Sequence, residues 1–153
     1  MGFSFRLETL LNWKKTLEEL SQERLFEKRE ELRLREEEIH RLTLMRTEWD
    51  RKLSEELKQG MKGCDYLLFK EFADASRGEL SLKEKGRGEI LKEITEEQER
   101  LIDFMKERKT LDRLKEKSRK RYYRLMDKQE QKTVDEIVTC HSPDPKTGFG
   151  KIL

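Results

Sequence analysis

Proline is almost missing from this 153-residue sequence: Pro143 and Pro145 are the only two, so the first 142 residues carry no helix breaker of that kind. Valine is equally scarce, present only as Val134 and Val138, while Leu, Glu, Lys and Arg dominate, which is helix-former chemistry and rules out a β-rich fold. Apolar residues make up 33% of the chain, against roughly 45–50% in ordinary globular domains. One-third apolar cannot line the interior of a compact globule of this length, so that class is excluded as well. A large net charge is also lacking, since 35 Lys and Arg face 33 Asp and Glu, leaving +2. Disordered chains usually pair low hydrophobicity with strong net charge, and this balance argues against disorder. No apolar run approaches the roughly 20 residues of a bilayer span. Residues 1–12 hold no continuous apolar core of the kind a secretory signal carries, so none is expected. The two cysteines, Cys64 and Cys140, form no CxxC and read as reduced thiols of a cytoplasmic protein.

What is present is charge, at 44% of residues, interleaved with regularly spaced leucine. That is the composition of long helices with one narrow apolar seam. Leu25, Leu32 and Ile39 step by seven, and Leu42, Trp49, Leu53 and Leu57 continue the alternating three-and-four spacing. Leu7, Leu10, Leu17 and Leu20 hold a similar stripe shifted by half a heptad near Ser21, which reads as a stutter. A first helix is therefore expected over about residues 5–58, on the order of 80 Å long at 1.5 Å per residue. Gln59-Gly60-Met61-Lys62-Gly63-Cys64-Asp65 then reads as a turn over 59–65, with glycine to stop one helix and Asp65 to cap the next. A connection of that length makes the helices antiparallel neighbours.

The stripe resumes through Phe69, Phe72, Ala73, Leu80, Ile90, Ile94, Leu101, Phe104, Leu111, Tyr122 and Leu125, so a second helix is expected over about 66–139. Its weak stretch is 76–88, where Gly78, Gly86 and Gly88 fall close together and Ser81–Glu84 matches a capping box; a continuous helix is still expected there. The expected fold class is all-α: a long antiparallel two-helix coiled-coil hairpin, the second helix overhanging the first. Residues 1–139 form a single coiled-coil domain in this reading, followed by a flexible tail over 140–153. Paired positions should total about 124 for a turn centred near residue 62, with Leu42 opposite Leu82 and Leu10 opposite Leu114. Residues from about 120 to 139 then lack an intrachain partner while carrying Tyr122, Tyr123, Leu125, Met126, Val134, Ile137 and Val138. An apolar stripe without an internal partner points to an interaction surface.

Catalytic chemistry finds no place in this pattern, because a two-helix seam offers no convergent pocket. His40 has no second His or Cys at helical spacing, and Cys140-His141 does not complete a tetrahedral site, so no metal and no cofactor is expected. The run 113–132 holds nine Lys and Arg against three acids, whereas 18–38 holds nine Glu against five Lys and Arg. A solvated face, an acidic protein surface or a nucleic acid would each suit the basic run. Tyr122 and Tyr123 alone make a poor stacking platform, which counts against nucleic acid.

Both ends of the chain resemble the FliJ family of bacterial flagellar export proteins. Phe5-Arg6-Leu7-Glu8-Thr9-Leu10-Leu11 resembles the family's opening, an aromatic-Arg-Leu followed by Leu-Glu-x-Leu-Leu. Arg108-Lys109-x-Leu111, Leu114-Lys115-Glu116, Tyr122, Glu130-Gln131-Lys132 and Asp135-Glu136-Ile137 resemble its C-terminal part. The polar Glu-Gln-Lys-x-x-Asp-Glu-Ile segment is the specific portion, since no seam dictates it. The resemblance implies a non-enzymatic stalk, similar to the γ subunit of rotary ATPases, whose paired ends engage the hexameric flagellar export ATPase. On this chain those ends comprise Phe3, Phe5, Arg6, Leu7, Arg121, Tyr122, Arg124, Glu130, Gln131, Lys132, Asp135 and Ile137. It also implies contact with the membrane export gate protein through Leu42, Met45, Trp49 and Phe72, and with export chaperones. Ser76, Glu79 and Lys83 share that stretch but are more polar than an apolar patch calls for. The implied protein is a monomer in isolation, cytoplasmic and peripheral to the inner membrane at the flagellar base, with no small-molecule substrate and no nucleic acid. The alternatives are a stalk protein of a non-flagellar type III secretion system and a nucleic-acid-associated basic coiled coil.

Overall fold

The computed structural model describes residues 2–141, and two helices account for nearly all of them: α1, Glu8–Gln59, and α2, Gly63–His141. They run antiparallel as a coiled-coil hairpin, and among the described residues there is no strand. The turn is three residues, 60–62, rather than the expected seven. One glycine suffices, because Gly60 takes the left-handed conformation at φ 93°. The Lys62 carbonyl then accepts the Asp65 and Tyr66 N–H groups at 3.1 and 3.2 Å, which draws Gly63, Cys64 and Asp65 into the first turn of α2. Asp65 is thus a first-turn carboxylate at the positive end of the helix and not a residue ahead of it. At the other end α1 starts at Glu8, three residues later than expected. Phe5 is buried, at 9% exposure, and its carbonyl accepts the Glu8 N–H at 3.1 Å, so residues 2–7 enter as an irregular segment. Cys140 and His141 remain helical, and the rest of the expected tail, 142–153, lies outside the described residues.

Two compact units make up the chain: Trp13–Glu107, which contains the turn, and Met1–Asn12 with Arg108–Leu153, which contains both termini.

In Trp13–Glu107 the inward positions of α1 are Lys14, Glu18, Ser21, Leu25, Lys28, Leu32, Arg35, Ile39, Leu42, Arg46, Trp49 and Leu53, each buried or half-buried. Their spacing alternates three and four without interruption, so there is no stutter at Ser21. The expected half-heptad shift came from following leucines: Leu20, 42% exposed, lies outside the seam, and Glu18 and Ser21 occupy it. The core is Leu25, Ile90 and Ile94, with Leu32 and Leu101 packed against it. Burying one such side chain contributes about 1.5–3 kcal/mol. With so few of them, polar groups that cross the seam do more to set register than to stabilise it. Glu38 meets Lys83, Trp49 meets Phe72 and Lys28 meets Glu93, pairs whose numbers each total 121. The register is therefore three short of the expected value, because the shorter turn moves the centre of the pairing to between Gly60 and Met61. Leu82 does not face Leu42; it is 72% exposed, and Lys83 takes the inward place. The helix is continuous through 76–88, held from across the hairpin by Lys83 on Glu38 at 2.9 Å and Arg87 on Glu36 at 3.2 Å.

In the unit of the termini, Leu11 is fully buried and Leu7, Leu111, Lys115 and Ser118 are half-buried. Lys115 pairs with Glu8 at 2.8 Å, while Leu10 and Leu114, expected to face one another, are both exposed. Phe3 lies against Tyr122 with ring centroids 5.8 Å apart. From Tyr123 to His141 every residue of α2 is exposed. The overhang thus begins at Tyr123 rather than near 120, because the irregular N-terminal segment extends the cover by one turn.

Candidate functional site

The expected ATPase-facing residues divide into a packed group and an exposed one. Phe3, Phe5, Leu7 and Tyr122 pack on one another or on the seam, whereas Arg6, Arg121 and Arg124 are exposed beside them. Glu130, Gln131, Lys132, Asp135 and Ile137 all lie on the exposed length of α2. At about 100° per residue these positions are spread around the helix and share no single face. A partner touching all of them must surround the helix. Four apolar residues of this length do share a face: Tyr123, Met126, Val134 and Ile137 recur at helical spacing and are 50%, 37%, 57% and 55% exposed, while Leu125, 56% exposed, lies on the opposite side. Tyr123 leads this stripe and Tyr122 belongs to the hairpin seam, so the two faces are about one residue, or 100°, apart. The N-terminal segment can cover Tyr122 while leaving the stripe free.

Beside it, Arg113, Glu116, Lys117, Lys120, Arg121 and Arg124 line an open groove on the outer side of α2, of about 450 Å³. Lys120 pairs with Glu116 at 3.8 Å, and the Arg119 guanidinium stands 5.9 Å from the Tyr123 ring centroid. The other cations of the groove have no carboxylate within ion-pair distance among the described residues. This face carries charge without aromatic rings, so it suits an anionic surface and not base stacking.

Near the turn, in the other unit, Trp49 stands between Phe69 and Phe72 at centroid distances of 5.2 and 4.5 Å. Of the four expected gate-facing residues, the fold brings together Trp49 and Phe72. Leu42 is half-buried in the seam, and Met45 is 46% exposed. Ser76 is buried and Lys83 is engaged with Glu38, so neither belongs to an apolar surface patch. Trp49, Glu56, Asp65, Leu68, Phe69 and Phe72 line a cavity of about 290 Å³. Glu56 and Leu68 did not stand out in the sequence, and Asp65 did so only as a helix cap, because only the three-residue turn brings the end of α1 against the start of α2 at this register.

The electrostatics of the seam edges is local. A hydrogen bond from Lys83 holds the Glu38 carboxyl below its ordinary pKa, and hydrogen bonds to Glu93 and Glu31 push Lys28 above its own. Arg33 is raised by its hydrogen bond to Glu30. These pairings stabilise charge at rest and shape no reactive group. Among the described residues no cluster of His, Cys, Asp or Glu is arranged to hold a metal ion.

The family model described as "Flagellar FliJ protein" matches residues 3–141. The chain belongs to the FliJ family. Among solved structures it is similar to a proposed YscO homologue, CT670, of Chlamydia trachomatis. The identity is 24%, covering 91% of this chain and 94% of that one, with a TM-score of 0.50. At that identity the likeness concerns the fold alone. No curated protein matches significantly. Family membership makes this FliJ-family chain a coiled-coil component of type III protein export. Among its described residues no helix is long and apolar enough to cross a membrane.

Proposed function

We propose that this FliJ-family chain is a non-enzymatic, γ-subunit-like stalk of the flagellar type III export apparatus. It engages the hexameric export ATPase through its terminal end, the membrane export gate through the surface around Trp49, and export chaperones. It works in the cytoplasm at the periphery of the inner membrane. The observation that carries the reading is the stripe Tyr123, Met126, Val134 and Ile137, exposed along a helix that has outrun its partner. Such a stripe costs solubility unless something covers it, and the cations of 113–124 favour an acidic socket by steering encounter. The spread of Arg124, Glu130, Lys132 and Asp135 around the helix supports a ring that encloses it. Active sites of hexameric ATPases lie between subunits, so a stalk that assembles the ring raises turnover.

Titrating the full chain into the cognate export ATPase should increase hydrolysis and ring formation at low ATPase concentration. A chain ending at Tyr123 keeps the Phe3–Tyr122 contact and should lose both effects, while retaining the helical circular dichroism of the hairpin. Arg121→Glu with Arg124→Glu should weaken binding and flatten its salt dependence. Full-strength binding by the truncated chain overturns the terminal contact. A non-flagellar export ATPase run in parallel separates a flagellar stalk from its non-flagellar counterpart.

A further inference from the structure

We propose that the aromatic pocket beside the turn is a docking site for a peptide segment carrying an arginine or lysine next to a large apolar residue. The gate reading above supplies a protein that could carry this segment, but the chemistry of the pocket does not rest on it. A tryptophan ring packed against two phenylalanines would ordinarily be buried. Here Trp49, Phe69 and Phe72 are only half-buried, Leu68 beside them is 65% exposed, and a cavity of about 290 Å³ remains between the helices. That is an apolar seat for one large side chain.

The rim of the cavity is anionic. Glu56 comes from the end of α1 and Asp65 from the start of α2, and neither has an ion-pair partner among the described residues. Their neighbour Glu55 is paired, with Arg51 at 2.8 Å. Asp65 has a reason within the fold, since a carboxylate in the first turn is stabilised by the helix N-terminus. Glu56 has the opposite: it lies in the last turn of α1, at the negative end of the helix, where a carboxylate is disfavoured. A residue placed against its helix and left unpaired is explained by a cation that arrives from outside. The Trp49 ring already accepts one weakly, with the Lys52 ammonium 5.9 Å from its centroid, at the edge of the cation–π range. The same carboxylates argue against other occupants. Anionic lipid headgroups would be repelled, and a second copy seated on this patch symmetrically would set Glu56 and Asp65 against themselves.

The test uses the full chain labelled with ¹⁵N, in which the indole N–H signals of the two tryptophans are told apart by Trp13→Phe. The probes are the blocked tripeptides Leu-Arg-Leu, Leu-Gln-Leu and Leu-Glu-Leu. The expected result is a saturable shift of the Trp49 signal, with the arginine probe binding at least about fivefold more tightly than the glutamine probe. In the combined variant Glu56→Gln, Asp65→Asn that preference should shrink below about twofold, with the circular dichroism unchanged. Absence of a saturable shift up to about 20 mM overturns the proposal. Equal binding of the three probes also overturns it, since it describes a purely apolar seat suited to lipid or to any apolar segment, as does a preference that survives in the combined variant. The gate's cytoplasmic domain forms a separate arm. If its binding weakens in the combined variant, the segment belongs to the gate and the proposal gains a second support. If the arginine preference holds but neither that variant nor Leu68→Asp changes gate binding, the pocket stands and the gate reading falls.

Discussion

Ser21→Ala should cost this protein more than the loss of one small hydroxyl suggests. Ser21 is fully buried, and its Oγ donates to Glu97 Oε1 at 2.7 Å; Glu97 is itself only 6% exposed. The second carboxylate oxygen accepts from Arg100 Nη1 at 3.2 Å, and the Arg100 side chain is 59% exposed. Alanine removes the only seam-side donor to Glu97 among the described residues while leaving the carboxylate in place. Removing one partner of a buried charged group costs about 1–3 kcal/mol, and since Arg100 still holds the other oxygen, about 1.5–2 kcal/mol is expected. Replacing both members at once, Ser21→Leu with Glu97→Leu, removes the desolvated charge and extends the Leu25–Ile94 cluster. That double variant should be as stable as the parent or more so. Urea unfolding followed at 222 nm measures both, with unchanged slopes required for the comparison. A loss below about 0.5 kcal/mol for Ser21→Ala, or a double variant less stable than the single one, refutes the account of this layer.

The small core makes a second expectation sharp: Ile94→Ala should cost about 2–4 kcal/mol in the same assay, whereas Leu82→Ala, on an exposed side chain, should stay within about 0.5 kcal/mol. Two ion pairs fix the sign of the pH dependence. Glu38 is depressed by Lys83, so its contribution is present above the ordinary carboxylate pKa and is lost as pH falls through the depressed folded value. Lys83→Met should flatten that acid limb of thermal denaturation. Lys28 is raised, so its contribution holds below the ordinary lysine pKa and disappears as pH climbs through the higher folded value. Phe3→Ala should remove a ring pair worth about 0.5–1.5 kcal/mol and speed hydrogen exchange around Ser118–Tyr123. Unchanged exchange there would mean that the N-terminal segment does not cover Tyr122.

Some of this was legible in residues alone. The scarcity of proline and the seven-residue steps of Leu25, Leu32 and Ile39 were enough for two long helices and one turn. Ile90, Ile94, Leu101 and Phe104 marked the inward face of α2, where the seam is apolar. The reading failed where the seam is polar. Across Lys14, Glu18 and Ser21 the eye follows Leu10, Leu17 and Leu20, and a continuous heptad looks like a stutter. It also failed at the turn, where two glycines suggested a long connection though one closes it.

Composition and periodicity by themselves determined that this chain is helical, that it folds back once, and that its second helix outlasts its first. Those properties follow from local propensity and from how many residues lie on each side of a single break. Tertiary structure decided which polar groups enter the seam, since the buried Ser21 hydroxyl donates to Glu97 from the opposite helix. It also decided where the overhang begins, because Phe3 reaches Tyr122 from an irregular segment without periodicity of its own. The pocket beside the turn is likewise tertiary. Glu56 and Asp65 lie on different helices, and only a turn of three residues sets both beside the same aromatic rings.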